Sequence, residues 1–160
     1  MIIGTGVDIV RIDRFINMQK KARFMTRVFS VKEQEYLANK GTQSMAGLFA
    51  AKEAIAKALG TGFSGFFPCD IEILHDKNGK PFAVLHGKAQ EIANSLVEKA
   101  AAPLPGGSES EIYSRFCGGA WGSAPLEIEK DDHGRPSFSI HISISHSQTD
   151  AIAFAVLSTQ

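Results

Sequence analysis

Alternation opens the chain. In IIGTGVDIV, Ile2 to Val10, the period of two predicts a strand. Ile3, Thr5, Val7 and Ile9 share one face of it, and Gly4, Gly6 and Asp8 share the other. Glycines inside a strand forfeit packing and mark a close approach of backbone or ligand. The same period returns late in the chain. His141, Ser143, Ser145 and Ser147 alternate with Ile142, Ile144 and His146. Ala151 to Leu157 forms a further strand, with QTD in the turn.

Helical spacing fills much of the interval. Asp13 is placed to cap a short helix, RFINMQKK, with Arg14 and Met18 on one side of it. Ser30 and Glu33 form the S-x-x-E capping box of the helix VKEQEYLANK, which Gly41 stops. Thr42 is placed to cap a helix from Gln43 to Leu59, with Gly60 as the residue that ends it. Leu48, Ile55 and Leu59 share one face of that helix, with Ala51 and Ala58 beside them, and Glu53 and Lys57 lie opposite. GKAQEIANSLVEKA is also helical in pattern.

Two stretches nearly repeat: IEILHDKNGKPFAVLH (71–86) and LEIEKDDHGRPSFSIH (126–141). Each reads as strand, turn with Asp and Gly, and strand, which is a hairpin. Two copies do not make a solenoid. Between them AAPLPGGSESE (101–111) has the composition of a loop. Together these elements predict one α+β domain over residues 1–160, a small antiparallel sheet packed with helices, carrying an inserted loop and hairpin at about 101–139.

Composition narrows the class. The chain is 44% hydrophobic and 21% charged with zero formal net charge. That supports a core and, as a total, favours neither nucleic acid nor an anionic membrane as partner. Residues 1–27 nevertheless hold Arg11, Arg14, Lys20, Lys21, Arg23 and Arg27 against Asp8 and Asp13, a net +4. Cys69 and Cys117 form no disulfide framework and no metal spacing, which suits a reducing compartment. No signal-peptide pattern and no apolar run of membrane length is present, so the expected location is cytoplasmic.

The candidate chemistry lies in a few side chains. Asp8 and Glu53 are the oxygen ligands that a hard cation takes. Glu53 is equally placed for an i, i+4 pair with Lys57, and Asp8 for a turn at a strand end. Lys57 precedes Gly60, Thr61 and Gly62, but these follow the helix, so a helix-dipole anion site is excluded there. His141 is a candidate general base or anion contact, or a half-exposed strand histidine.

Three stretches, GVDIV (6–10), FAAKEAIAKALGTG (49–62) and DKNGKP (76–81), together with the closing HISISHS, resemble the holo-acyl-carrier-protein synthases, which are small 4′-phosphopantetheinyl transferases. The resemblance covers residues 1–100 and 140–157. It implies that the phosphopantetheine arm of coenzyme A is moved to a serine of an acyl carrier protein, releasing adenosine 3′,5′-bisphosphate. It places the Mg2+ carboxylates on Asp8 and Glu53 and the phosphate contact on Lys57, with Gly60, Thr61 and Gly62 alongside. Glu53, a metal-bound water or His141 could take the serine proton.

The resemblance also implies a trimer with its site at the subunit interface. There His141 and the turn Asn78, Gly79, Lys80 and Pro81 serve a neighbour's coenzyme. Arg14, Met18, Arg23, Phe24 and Arg27 occupy the positions that dock the acidic carrier, which accounts for the +4 segment. Two departures stand out: Leu48 replaces a usual arginine, and the stretch at 101–139 is additional. The second hairpin resembles that of the larger surfactin-type transferases. A coenzyme A- or carrier-binding module without catalysis, and a Mg2+-dependent pyrophosphatase, are the alternative functions.

Overall fold

Three antiparallel strands and the long helix laid across them organise the protein. The computed structural model describes residues 1–101 and 137–159. Strands β1 (Ile2–Arg11), β4 (Phe138–His146) and β5 (Asp150–Thr159) form one sheet in the order β1-β5-β4. Asp8 pairs with Ala153, and Ile144 pairs with Ala153 from the other side. A separate hairpin, β2 (Ile71–His75) with β3 (Pro81–Leu85), carries the turn Asn78 to Lys80. The helices are α1 (Ala22–Val28), α2 (Val31–Leu37), α3 (Thr42–Ala58) and α4 (Gly87–Ala101). The predicted α+β class holds. The Pro/Gly loop after Ala101 and the first strand and turn of the second hairpin lie outside the described residues.

Glycine decides which face of β1 is covered. A methyl added at Gly6 would fall 2.8 Å from the Ala58 amide nitrogen and closer still to the Ala54 carbonyl oxygen. A methyl at Gly4 would strike the Ala58 carbonyl. The close approach predicted for these glycines is therefore that of the α3 backbone. Farther along α3, Gly47 stands against Ile144, so the helix crosses the sheet from β4 to β1. Small residues line the contact: Ala50, Ala51, Ala54 and Ala58 of α3, and Ala151, Ala153 and Ala155 of β5, are all buried. Ile55 and Leu59 complete the core, and α3 is buried on most of its circumference.

The other face of the sheet is open and apolar. Val7 and Ile9 of β1 are 51% and 65% exposed, and Ile152 and Phe154 of β5 are 42% and 46% exposed. His141, Ser143 and Ser145 of β4 pair with Val156, Phe154 and Ile152 on that same face.

Local signals succeeded where they were complete. Ser30 and Glu33 make the predicted capping box: Ser30 Oγ accepts from the Glu33 amide at 3.3 Å, and the Ser30 amide donates to Glu33 Oε2 at 2.7 Å. Gly60, at φ +77°, follows α3 as expected. Two caps differ. Gly41, not Thr42, is the N-cap of α3, and Thr42 opens the helix without capping it. Asp13 is not a cap either: the first turn begins at Ile12 with Arg11 at the N-cap position, and Asp13 lies inside the turn, ion-paired with Arg11. RFINMQKK is not one helix but two 3-10 turns, Ile12–Phe15 and Met18–Lys20. Asn17 breaks them apart at φ +64°, a left-handed conformation that interrupts a right-handed helix.

Candidate active site

Asp8 lies on the covered face of β1, two residues beyond Gly6, and the solvent side of α3 runs past it. Lys57 reaches down from α3 and donates to Asp8 Oδ1 at 2.7 Å and to the Val7 carbonyl at 2.9 Å. Lys57 thus pairs with Asp8 on another element. Among the described residues it forms no ion pair with Glu53 one helical turn back. Asp8 Oδ2 is buried and has no hydrogen-bond partner. Burial, and after it the Asp8 carboxylate, push the Glu53 carboxyl above the usual glutamate range, while Lys57 and Arg14 oppose the shift. Asp8, Glu53, Lys57 and Arg14 therefore share one electrostatic neighbourhood, and the glycines that admit α3 are what bring them together.

This donor set fits a hard divalent cation. Both acids offer oxygen, and one oxygen is buried with a free lone pair. Among the described residues no group of three or more His, Cys, Asp or Glu side chains is assembled for a metal. Two carboxylates suffice for Mg2+ when substrate phosphates and water complete its shell.

Lys52, the other lysine of the helix, does something different. Its side chain is fully buried and donates to Glu33 Oε2 at 2.7 Å, to the Pro68 carbonyl at 3.0 Å and to the Ile71 carbonyl. Glu33 Oε1 accepts from the Ile73 amide at 2.8 Å. Burial lowers the Lys52 pKa, and Glu33 partly offsets it. The capping glutamate is thus also the counter-ion that ties α3 to α2 and β2. Sequence spacing gave no sign of this, because the partners belong to three elements. Next to it Ser30 Oγ donates to Glu72 Oε1 at 2.7 Å, with Lys32 and His86 at 3.4 and 3.5 Å from Oε2.

The other predicted site residues are dispersed. Gly60 and Gly62 hold left-handed φ angles of +77° and +56°, and Thr61 is exposed between them. The Asn78-Gly79-Lys80-Pro81 turn is shaped by Asp76, whose Oδ1 accepts from the Asn78 and Lys80 amides at 2.8 and 2.9 Å. His141 lies on the open face of the sheet, opposite the face that carries Asp8 and α3. Within one chain the sheet separates it from Glu53. Arg14, Arg23 and Arg27 are exposed, whereas Met18 and Phe24 pack against the core edge, Phe24 between Phe15 and Phe29. Leu48 is a core side chain at 2% exposure. A cleft of about 540 Å³ between Arg11, Asp13, Thr42 and Asp150 contains none of the predicted site residues.

Known proteins share both the sequence and the shape. Residues 4–110 match the family model of the 4′-phosphopantetheinyl transferase superfamily. A holo-(acyl-carrier-protein) synthase of Clostridium perfringens is 37% identical over 160 aligned positions, covering 98% of this chain and 94% of that one. The holo-(acyl-carrier-protein) synthase of Bacillus anthracis, solved in complex with CoA (3′,5′-ADP), superposes with a TM-score of 0.63 at 28% identity, covering 100% of this chain and 99% of that chain. The enzyme of the same name from Neisseria meningitidis superposes at 0.64 and 28% identity, each chain covered to 99%. With the carboxylate pair, the bridging lysine and the glycine-bearing strand in place, the chain belongs to the 4′-phosphopantetheinyl transferase superfamily, among its holo-(acyl-carrier-protein) synthases.

Proposed function

We propose that Asp8 and Glu53 hold Mg2+ and that Lys57 faces the pyrophosphate of coenzyme A in the family's reaction. The chain transfers 4′-phosphopantetheine from coenzyme A to a serine of an apo-acyl carrier protein. The observation that carries the metal assignment is the buried, unpartnered Oδ2 of Asp8 beside Glu53.

The serine oxygen forms a bond to the phosphorus that bears the pantetheine arm. The bridging P–O bond breaks, and adenosine 3′,5′-bisphosphate leaves with the electron pair. Little covalent help is needed, so charge neutralisation and alignment carry the acceleration. When bound, the Mg2+ polarises the pyrophosphate and fixes its position. Lys57 neutralises charge that grows on the leaving phosphate. Of the two side chains proposed to take the serine proton, Glu53 lies on the site's side of the sheet and His141 on the opposite face.

His141 lies away from this carboxylate site, on the open face of the sheet. It pairs with Val156 at one edge of the sheet face that also carries Phe154, Ile152, Val7 and Ile9, a contiguous apolar surface that water does not favour. This supports a homotrimer in which His141 and the Asn78–Pro81 turn serve a neighbour's coenzyme A. Arg14, Arg23 and Arg27 offer the acidic carrier an exposed basic approach. The sparse cysteines favour a cytoplasmic setting.

One assay tests the reading. Protein, coenzyme A, Mg2+ and apo-carrier are mixed, and the carrier is weighed by mass spectrometry. A phosphopantetheine gain that disappears in Asp8→Ala and in Glu53→Ala, with folding unchanged, is the expected result. Full activity in either variant removes the metal assignment. Binding without a gain points to a non-catalytic module. Cleaved coenzyme A with unmodified carrier points to a pyrophosphatase.

A further inference from the structure

Lys57 is held twice on β1, by Asp8 Oδ1 and by the Val7 carbonyl. Its side chain is half exposed, whereas that of Asp8 is 15% exposed. A half-exposed cation thus covers a nearly buried carboxylate whose second oxygen has no partner. Glu53 on the same helix adds a second negative charge to the neighbourhood. Resting on the reading of Asp8 as a metal ligand, we propose that Lys57 is a tethered counter-cation of Asp8, which a divalent ion displaces and thereby hands over to the phosphates of coenzyme A.

A divalent ion at Asp8 would stand within a few ångströms of the Lys57 ammonium, and two cations at one carboxylate repel strongly where the surroundings are partly dry. The lysine therefore opposes metal binding as long as it stays on Asp8. Its exposed, flexible stem lets it leave, and an anion on the solvent side gives it a destination. Coenzyme A phosphates that take up Lys57 relieve the repulsion, so metal and coenzyme A strengthen each other's binding. Linkage requires that reinforcement to be reciprocal. One lysine then serves two anions in turn, and the site discourages a stray metal until substrate is present.

The test is a titration with Mn2+ alone, followed by electron paramagnetic resonance of the free ion, on the intact protein and on Lys57→Gln, Lys57→Arg and Asp8→Asn. Circular dichroism checks that each variant is folded. Without coenzyme A, Lys57→Gln is expected to bind Mn2+ about tenfold more tightly than the parent, since one unit of opposing charge is gone. Lys57→Arg, which keeps the charge, should stay near the parent. Coenzyme A should tighten Mn2+ binding in the parent and do so much less in Lys57→Gln. Unchanged or weaker Mn2+ binding in Lys57→Gln, with binding still lost in Asp8→Asn, overturns the counter-cation role and leaves the metal site standing. Undiminished Mn2+ binding in Asp8→Asn overturns the metal site and this proposal together.

Discussion

Gly6 lies directly beneath the Ala54 carbonyl, with no room for a side chain between strand and helix. Gly6→Ala should therefore push α3 away from β1. The obstructing atoms are backbone and cannot rotate aside, so the loss belongs at or above the upper end of the roughly 1–3 kcal/mol usual for overpacking. Because Lys57 and Asp8 meet across that contact, transfer activity should fall as well. Urea unfolding together with a transfer assay checks both. A variant as stable as the parent would show that the helix does not sit this close.

Lys52 makes a different prediction from its neighbour Glu53. Lys52→Met leaves the Glu33 carboxylate buried without its cation. Removing one partner of a buried pair costs about 3–5 kcal/mol. The drop should appear in the urea midpoint, in the absence of metal and substrate. A loss below about 1 kcal/mol would mean that Glu33 escapes to water.

Glu72 gives a pH signature. Burial alone would raise its pKa, but the hydrogen bond from Ser30, the Lys32 charge and the His86 hydrogen bond more than offset this, and its pKa is lowered from 4.5. A carboxyl with a lowered folded pKa contributes stability above its unfolded value, and that stability is lost as pH falls through the folded value. The parent should therefore lose stability below about pH 4.5 more steeply than Glu72→Gln. Unfolding free energies taken at steps of pH decide it, and parallel curves would remove Glu72 as the cause.

Arg14 is exposed and also lies in the field of Glu53. Arg14→Glu should raise KM for the carrier roughly tenfold at low salt, with a smaller change for coenzyme A. Added salt should shrink the difference, since exposed charges are screened. Steady-state kinetics at two ionic strengths measures this. Equal effects on both substrates would exclude the basic segment as the docking face.

What could be read from the sequence follows the range of each interaction. The Ser30–Glu33 box and the Gly60 stop are local, and they stand as predicted. The alternation in β1 told which residues share a face, but not which face α3 would cover. The missing Cβ atoms of Gly4 and Gly6 let the helix settle on their side, and the side with Val7 and Ile9 stays open. Glu53 with Lys57 was a sound local pair, but Asp8, 49 positions away, outcompetes it for the lysine. Asp13 failed as a cap for a local reason, since the 3-10 turn starts at Ile12 and puts Asp13 inside it. The Asp8–Glu53 neighbourhood was legible through family resemblance, whereas nothing local announced that Lys52 would be buried with Glu33.

The position of β5 has a consequence for how the site comes into being. β5 lies at the centre of the sheet, between β1 and β4, and is the last strand of the described chain. Asp8 is therefore aligned by Ala153, a residue from the far end of the sequence. Contacts of such long separation close slowly, because the intervening chain must be ordered first. A nascent chain that has already made α3 and the β2–β3 hairpin still holds a β1 without its ladder. Asp8 should thus be aligned late in folding, and a chain cut short before residue 150 should leave β1 as an unpaired, apolar strand open to wrong partners.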